Sequence, residues 1–167
     1  MLRATGVIPF ALLAEAQLAR IDLEQGRPAK ALASLTQVLD EIVDVDQAGF
    51  ALEVGIHFAS AAGAAGRPGR GLEVLDELAE QAGEEAGQAA VPVARVRGAL
   101  LAALGRLDEA WECLEGALAG ARRQSLLYEQ LLTLRQRSEL ARARGDEPSL
   151  EELRETHRLA QLLGIQS

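Results

Sequence analysis

A short segment recurs along the 167-residue chain. The copies read QGRPAKALASLTQVL from Gln25, AGRPGRGLEVLDELA from Ala65 and LGRLDEAWECLEGAL from Leu104, and a weaker copy follows Gly145. Each clear copy has Gly-Arg, a short polar turn, a small residue and then Leu four positions further on. A constant period indicates stacked structural units, and it constrains this fold more than any other feature. The marking glycines are 40, 39 and 40 residues apart: Gly26, Gly66, Gly105 and Gly145.

Small residues hold a fixed register around these glycines. Small residues let two helices approach closely, and a row of leucines then fills the seam, so each unit is predicted to be a helical hairpin. A glycine at the inner turn suits the left-handed residue that ends a helix. Seven residues before the glycines lie Ala19, Ala59, Gly98 and Ser138, and five residues after them lie Ala31, Gly71 and Ala110, followed by Leu35, Leu75 and Leu114.

The composition favours helices throughout. Hydrophobic residues make up 49% of the chain but aromatic residues only 3%, so the core must consist mainly of Ala, Leu, Val and Ile. We therefore predict an all-α fold, a right-handed superhelix (α-solenoid) of about four antiparallel helical hairpins. The chain is predicted to form one repeat domain over 1–167, with repeats at approximately 9–46, 47–88, 89–124 and 125–165. The predicted helices are Pro9–Gln25, Pro28–Val43, Gln47–Ala65, Pro68–Gln81, Ala90–Leu104, Leu107–Arg122, Leu126–Arg144 and Ser149–Leu163.

The last helix departs from the pattern. Ser149 and Glu152 form the S-x-x-E capping box that marks a helix start, and the turn before them is predicted to be longer. A polar final helix suits a terminal cap. Its packed face is predicted to contain Leu153, Ala160 and Leu163, and its outward face Glu151, Glu152, Glu155 and Arg158.

Charge and cysteine content exclude several classes of protein. The net charge of −8 argues against nucleic-acid binding by the chain as a whole, although Arg122–Arg158 contains eight Arg and seven acidic residues. The single cysteine, Cys113, cannot form an internal disulfide, and a cytoplasmic location fits it. The sequence shows neither a membrane-spanning run nor the layout of a secretion signal.

No motif in the sequence points to catalysis. The glycine-rich segment GAAGRPGRG, at 63–71, lacks the Lys and Ser/Thr of a phosphate loop and follows a helix rather than a strand. We therefore predict no enzyme activity, no cofactor and no metal. The other residues considered and set aside are His57 and His157, the thiol of Cys113, and the acidic pairs Asp44 with Asp46 and Glu84 with Glu85.

The register of small residues and turn glycines resembles the tetratricopeptide pattern, in three repeats clearly and in the fourth partially. The period is longer than that family's usual length of about 34 residues. Longer units of this kind resemble the helical arms of large bacterial transcription activators and nucleotide cyclases. The opening MLRATGV resembles the end of the second helix of a hairpin, so we expect the chain to be a fragment of a longer protein. The apolar residues Leu2, Val7, Ile8 and Phe10 would then favour self-association.

The resemblance implies a concave face, lined by the first helix of each hairpin, that binds a protein or peptide segment. This segment could be another domain of the parent chain, and a regulatory role in bacterial signalling or transcription follows. The alternative is an effector-sensing arm that binds a small ligand and controls a missing ATPase, cyclase or DNA-binding domain. Trp111 is predicted to pack on the neighbouring repeat, and the alternative is that it is a surface hot spot for a partner. The candidate groove residues are Arg20, Glu24, Glu53, Ser60, Arg95, Arg135, Glu139 and Arg142. The alternative for Arg95, Arg135 and Arg142 is that they pair with neighbours such as Glu139 or face solvent.

Overall fold

The computed structural model describes residues 10–42 and 48–165. Within these ranges the protein is all-α, as predicted, with eight α-helices, one 3₁₀ segment at Gly83–Ala89 and no strand. The predicted helices agree with the observed ones to within two residues at most ends. The helices are α1 (Phe10–Glu24), α2 (Pro28–Ile42), α3 (Ala48–Ala64), α4 (Pro68–Ala82), α5 (Ala90–Ala103), α6 (Leu107–Arg123), α7 (Leu127–Arg144) and α8 (Leu150–Leu162).

The helices form consecutive hairpins that group into two compact units. In the first unit, which ends at Ala89, α1 packs on α2, α2 on α3, and α3 on α4. In the second unit, which starts at Ala90, α5 packs on α6, α6 on α7, and α7 on α8. Each unit is therefore a pair of helical hairpins joined by contact between the second helix of one hairpin and the first helix of the next.

The repeated glycines end the first helix of each hairpin in the predicted way. Gly26, Gly66, Gly105 and Gly145 have φ values of 73°, 76°, 77° and 81°, in the left-handed region that favours glycine. The amide of the residue after each glycine donates to a carbonyl five residues back, for example Arg106 to Leu101 at 2.9 Å. This bonding pattern satisfies the carbonyl groups at the helix end and reverses the chain within a few residues.

The small residues lie where paired helices approach each other most closely. A Cβ atom at Gly98 would lie 2.8 Å from Cγ of Leu114 and 3.2 Å from the carbonyl oxygen of Ala110. The seam leucines Leu35, Leu75 and Leu114 are all buried, as their register predicts. The α5–α6 pair therefore depends on a residue without a side chain at position 98.

The first unit contains one large apolar core cluster. Leu32 on α2 and Phe58 on α3 are both buried in one cluster that draws residues from α1, α2, α3 and α4. Burial of side chains of this size contributes about 1.5–3 kcal/mol each. The cluster consists of Leu12, Ala16, Ala19, Ala31, Leu32, Leu35, Val38, Ile42, Val54, Phe58, Ala61, Ala62 and Val74.

The last hairpin is joined by a smaller apolar cluster and by ion pairs. Leu118, Leu131, Leu134, Leu159 and Ala160 form the cluster, with Leu163 packed beside it. The capping box is confirmed, because the hydroxyl of Ser149 accepts a bond from the amide of Glu152 at 3.4 Å.

The predicted faces of α8 are partly wrong. Ala160 and Leu163 pack inward and Glu151 and Arg158 lie outward as predicted, but Leu153 is 36% exposed. Glu152 and Glu155 instead turn inward and pair with Arg137 of α7 and Arg122 of α6. The length of the turn after Gly145 sets the rotation of α8 about its axis, and in the observed rotation Glu152 and Glu155, rather than Leu153, face α7 and α6.

Of the helices in the described ranges, none is both long and apolar enough to cross a membrane.

Candidate interaction surface

The groove residues predicted in the first unit lie mostly on exposed helix surface. Arg20 and Glu24 are four residues apart on α1, and their charged atoms are 3.9 Å apart. Glu53 is exposed on α3, whereas Ser60 is half-buried and its hydroxyl donates to the Ile56 carbonyl at 2.9 Å. The first-unit candidates therefore form one weak surface pair, one exposed carboxylate and one hydroxyl bonded within its own helix.

Arg95 is held within the second unit. Its Nε donates to Oε2 of Glu129 on α7 at 2.7 Å, and the two side chains are only 13% and 18% exposed. This ion pair connects α5 to α7. A charge-assisted hydrogen bond between two side chains this deeply buried holds both helices in position. Fewer N–H groups of Arg95 then remain to bind a partner.

The other candidates of the second unit lie on one face of α7. Arg135, Glu139 and Arg142 follow each other at intervals of four and three residues, which places their side chains in a row. The same row begins with exposed Tyr128 and half-buried Leu132. We call these five residues the outer stripe of α7.

The arginines of the outer stripe have no ion-pair partner among the residues that the structure describes. Arg135 is half-buried and Arg142 is exposed. A guanidinium group presents five donors in a planar fork that matches a carboxylate. The outer stripe therefore offers two guanidinium groups on the same helix face as an exposed aromatic ring.

The remaining arginines of α7, Arg137 and Arg144, face the opposite way and contact Trp111 on α6. Their Cζ atoms lie 4.2 Å and 5.3 Å from the centroid of the Trp111 ring. Arg137 is 9% exposed, and its Nη2 lies 2.8 Å from Oε1 of Glu152 on α8. Arg144 reaches Asp108 of α6 at 3.2 Å. We call Arg137 and Arg144 the inner arginines of α7.

The sequence predicted that Trp111 packs on the neighbouring repeat, but it did not predict the two arginines that the ring contacts. The structure places the half-buried indole ring between two helices, where it supplies a π face to both inner arginines. The repeat spacing contained a signal for this contact. Gly26 and Gly105 are equivalent turn residues 79 residues apart, and the same spacing separates Leu32 from Trp111 and Phe58 from Arg137. The core positions Leu32 and Phe58 of the first unit thus predict an internal contact for Trp111.

A second charged cluster closes the first hairpin turn. The carboxylate of buried Asp22 accepts a bond from Nε of Arg27 at 2.9 Å, and Nζ of Lys30 lies 3.1 Å from it. The Arg27 guanidinium, and then the Lys30 ammonium, hold the pKa of the Asp22 carboxyl below its ordinary value. Arg106 likewise lowers the pKa of Glu109 in the third hairpin.

The residues set aside for catalysis are dispersed in the structure. Cys113 on α6 is half-buried, His57 on α3 is half-buried, and His157 on α8 is exposed. Asp44 and Asp46 lie outside the described residues, and so does the side chain of Glu85. In the part of the chain that the structure describes, no three His, Cys, Asp or Glu side chains converge in a way that suits a metal ion.

Comparisons with family models, with curated proteins and with solved structures found no match for this chain.

Proposed function

We propose that this protein is a non-catalytic interaction module and that the outer stripe of α7 binds a protein segment rich in carboxylates. The observation that carries the proposal is the division of arginines on α7. Arg137 and Arg144 pair with carboxylates of the second unit, whereas Arg135 and Arg142 form no ion pair among the described residues, although Glu139 lies between them on the same helix face. These two guanidinium groups support the proposal, because they can form ion pairs with a negatively charged partner.

The residue types of the outer stripe agree with protein recognition. Tyr and Arg are enriched at protein interfaces, where the ring supplies contact area and the guanidinium supplies directed hydrogen bonds. Leu132 adds an apolar contact between Tyr128 and Arg135. Glu139 lies between Arg135 and Arg142 along the stripe. Its negative charge repels a carboxylate at that position, so the acidic side chains of a partner must align with the two arginines.

Peptide binding tests the proposal directly. The probes are fluorescein-labelled 15-residue peptides that differ only in whether acidic or amide residues occupy alternate positions. We expect the acidic peptide to bind more tightly, and Arg135→Ala or Arg142→Ala to weaken it about tenfold each, because charge-assisted hydrogen bonds contribute about 1.5–3 kcal/mol. Fluorescence polarisation gives the Kd.

The control is Arg154→Ala, since Arg154 is exposed on α8 and lies outside the outer stripe. This variant must bind the acidic peptide as the unaltered protein does. Equal affinity for the acidic and the amide peptide, or an equal loss in all three variants, would overturn the proposal.

A further inference from the structure

The exposed face of α1 carries an apolar row that no described helix covers. Phe10 is 86% exposed, Leu18 61% and Ile21 40%, and Ala14 lies exposed between the first two. The spacing of four, four and three residues places all four side chains on one side of the helix. We call these four residues the α1 row.

The same register is buried in the next hairpin. Phe50, Val54, Phe58 and Ala61 follow the α1 row at 40 residues, which is the repeat period. Val54, Phe58 and Ala61 are buried in the apolar cluster of the first unit and Phe50 packs against it. Helix α2, which contributes five residues to that cluster, packs on α3.

The second unit repeats this arrangement. Thr133, Arg137 and Leu140 of α7 occupy the same repeat positions, and all three are buried. Helix α6 packs on α7, and its Trp111 contacts Arg137. In both units, therefore, this face of a first-type helix is covered by the second helix of the preceding hairpin.

We propose that the α1 row is a docking site for an amphipathic α-helix of a partner protein, with apolar residues spaced as on α2. From Phe10 to Ile21 the row extends about 16 Å along the helix axis, the length of about three helical turns. Because Ala14 is small, a large apolar side chain of the partner would pack on it between Phe10 and Leu18. The partner thus takes the place that α2 takes on α3.

A second copy of this chain is a poorer occupant. Pairing two α1 rows would place the first helices of two hairpins face to face. In both units this face is instead covered by the second helix of the preceding hairpin. The net charge of −8 also opposes close approach of two identical chains.

The test uses a capped synthetic peptide with the sequence of α2, PAKALASLTQVLDEI, titrated into the whole protein labelled with ¹⁵N. An isolated helix of this length is marginal in water, so weak binding at high micromolar concentration is the expected range. We expect amide shift changes confined to the outward positions of α1. The control peptide carries Leu35→Ser, Val38→Ser and Ile42→Ser and must cause no shifts.

Two protein variants locate the binding and leave the fold intact, because the altered side chains are exposed. Phe10→Ser and Leu18→Ser should each weaken peptide binding about tenfold or more. Arg154→Ala on α8 serves as the control and should leave the affinity unchanged. The proposal is overturned if the peptide does not bind, if shifts fall elsewhere, or if Phe10 and Leu18 instead govern self-association measured by sedimentation.

Discussion

The two units use different chemistry at equivalent positions of the repeat. In the first unit, Leu32 of α2 and Phe58 of α3 are buried in one apolar cluster. In the second unit the corresponding residues are Trp111 of α6 and Arg137 of α7, which stack with 4.2 Å between the guanidinium carbon and the ring centroid. A helical repeat thus fixes the place of a contact but leaves its chemistry free.

This difference has a consequence for function. Because α7 carries arginine on both of its faces, the inner arginines connect the helices of the second unit while the outer ones remain available. Helix α3 has no arginine, and the binding surface that we propose for the first unit is the apolar α1 row. We therefore propose that the two units bind partners of different chemistry.

The largest effect is expected from the apolar contact. Phe58→Ala should destabilise the first unit by about 3–5 kcal/mol, because it removes a buried ring and leaves a cavity. Hydrogen exchange of the amides in α1–α4 measures the loss. Phe10→Ala is the matched control, since Phe10 is exposed, and it should change the stability by less than about 0.5 kcal/mol. Similar losses in both variants would show that the core assignment is wrong.

The equivalent change in the second unit should cost somewhat less. Arg137→Ala should destabilise α5–α8 by about 2–4 kcal/mol, because Glu152 then loses its partner in a half-buried position and Trp111 loses its stacked cation. Hydrogen exchange of α8 amides measures the effect. Arg70→Ala, which breaks an exposed pair with Glu73, should change stability by less than about 1 kcal/mol. A loss as small in Arg137→Ala would contradict an internal role for this residue.

The helix seams provide a smaller contrast. Gly98→Ala should destabilise the second unit by about 1–3 kcal/mol, because the added Cβ meets Leu114 and the Ala110 carbonyl. Gly116→Ala on α6 is the control, since no atom lies within 4 Å of its added Cβ, and it should stabilise by about 0.5–1 kcal/mol. Urea denaturation followed by circular dichroism measures both. The seam argument fails if Gly98→Ala is neutral.

The smallest effect concerns the charged turn of the first hairpin. The pKa of Asp22 is lowered in the folded state, so its contribution to stability is present above its unfolded pKa of about 3.9. That contribution is lost as the pH falls through the lower folded value. Asp22→Asn should therefore reduce stability at pH 7 and flatten the decline in stability as the pH falls below about 4. Thermal unfolding at a series of pH values checks this, and parallel curves would contradict it.

Much of the fold follows from the sequence. The spacing of Gly26, Gly66, Gly105 and Gly145 correctly placed four hairpin turns, because a left-handed residue after a helix nearly requires glycine. The small residue at Gly98 correctly indicated a close helix pair, since its neighbours leave no space for a Cβ. The superhelix, its handedness and the single domain stay predictions.

Two features could not be predicted in the same way. The faces of α8 depend on how many residues the last turn contains, and a shift of one or two residues rotates a helix by 100° or more. The pairing of Arg95 with Glu129 depends on the distance between α5 and α7, which belong to different hairpins. Local patterns do not encode that distance, so the engagement of Arg95 was visible only in three dimensions.

The measurement that tests the central claim most directly is the response of individual arginine Nε–H signals to an acidic peptide. The ¹H–¹⁵N spectrum of the whole protein resolves the side chains of α7 after assignment by single Arg→Lys variants. We expect the signals of Arg135 and Arg142 to shift on titration while those of Arg137 and Arg144 stay in place. Shifts of the inner arginines, or no shift at either pair, would contradict the claim that Arg135 and Arg142 bind the partner while Arg137 and Arg144 hold the helices of the unit together.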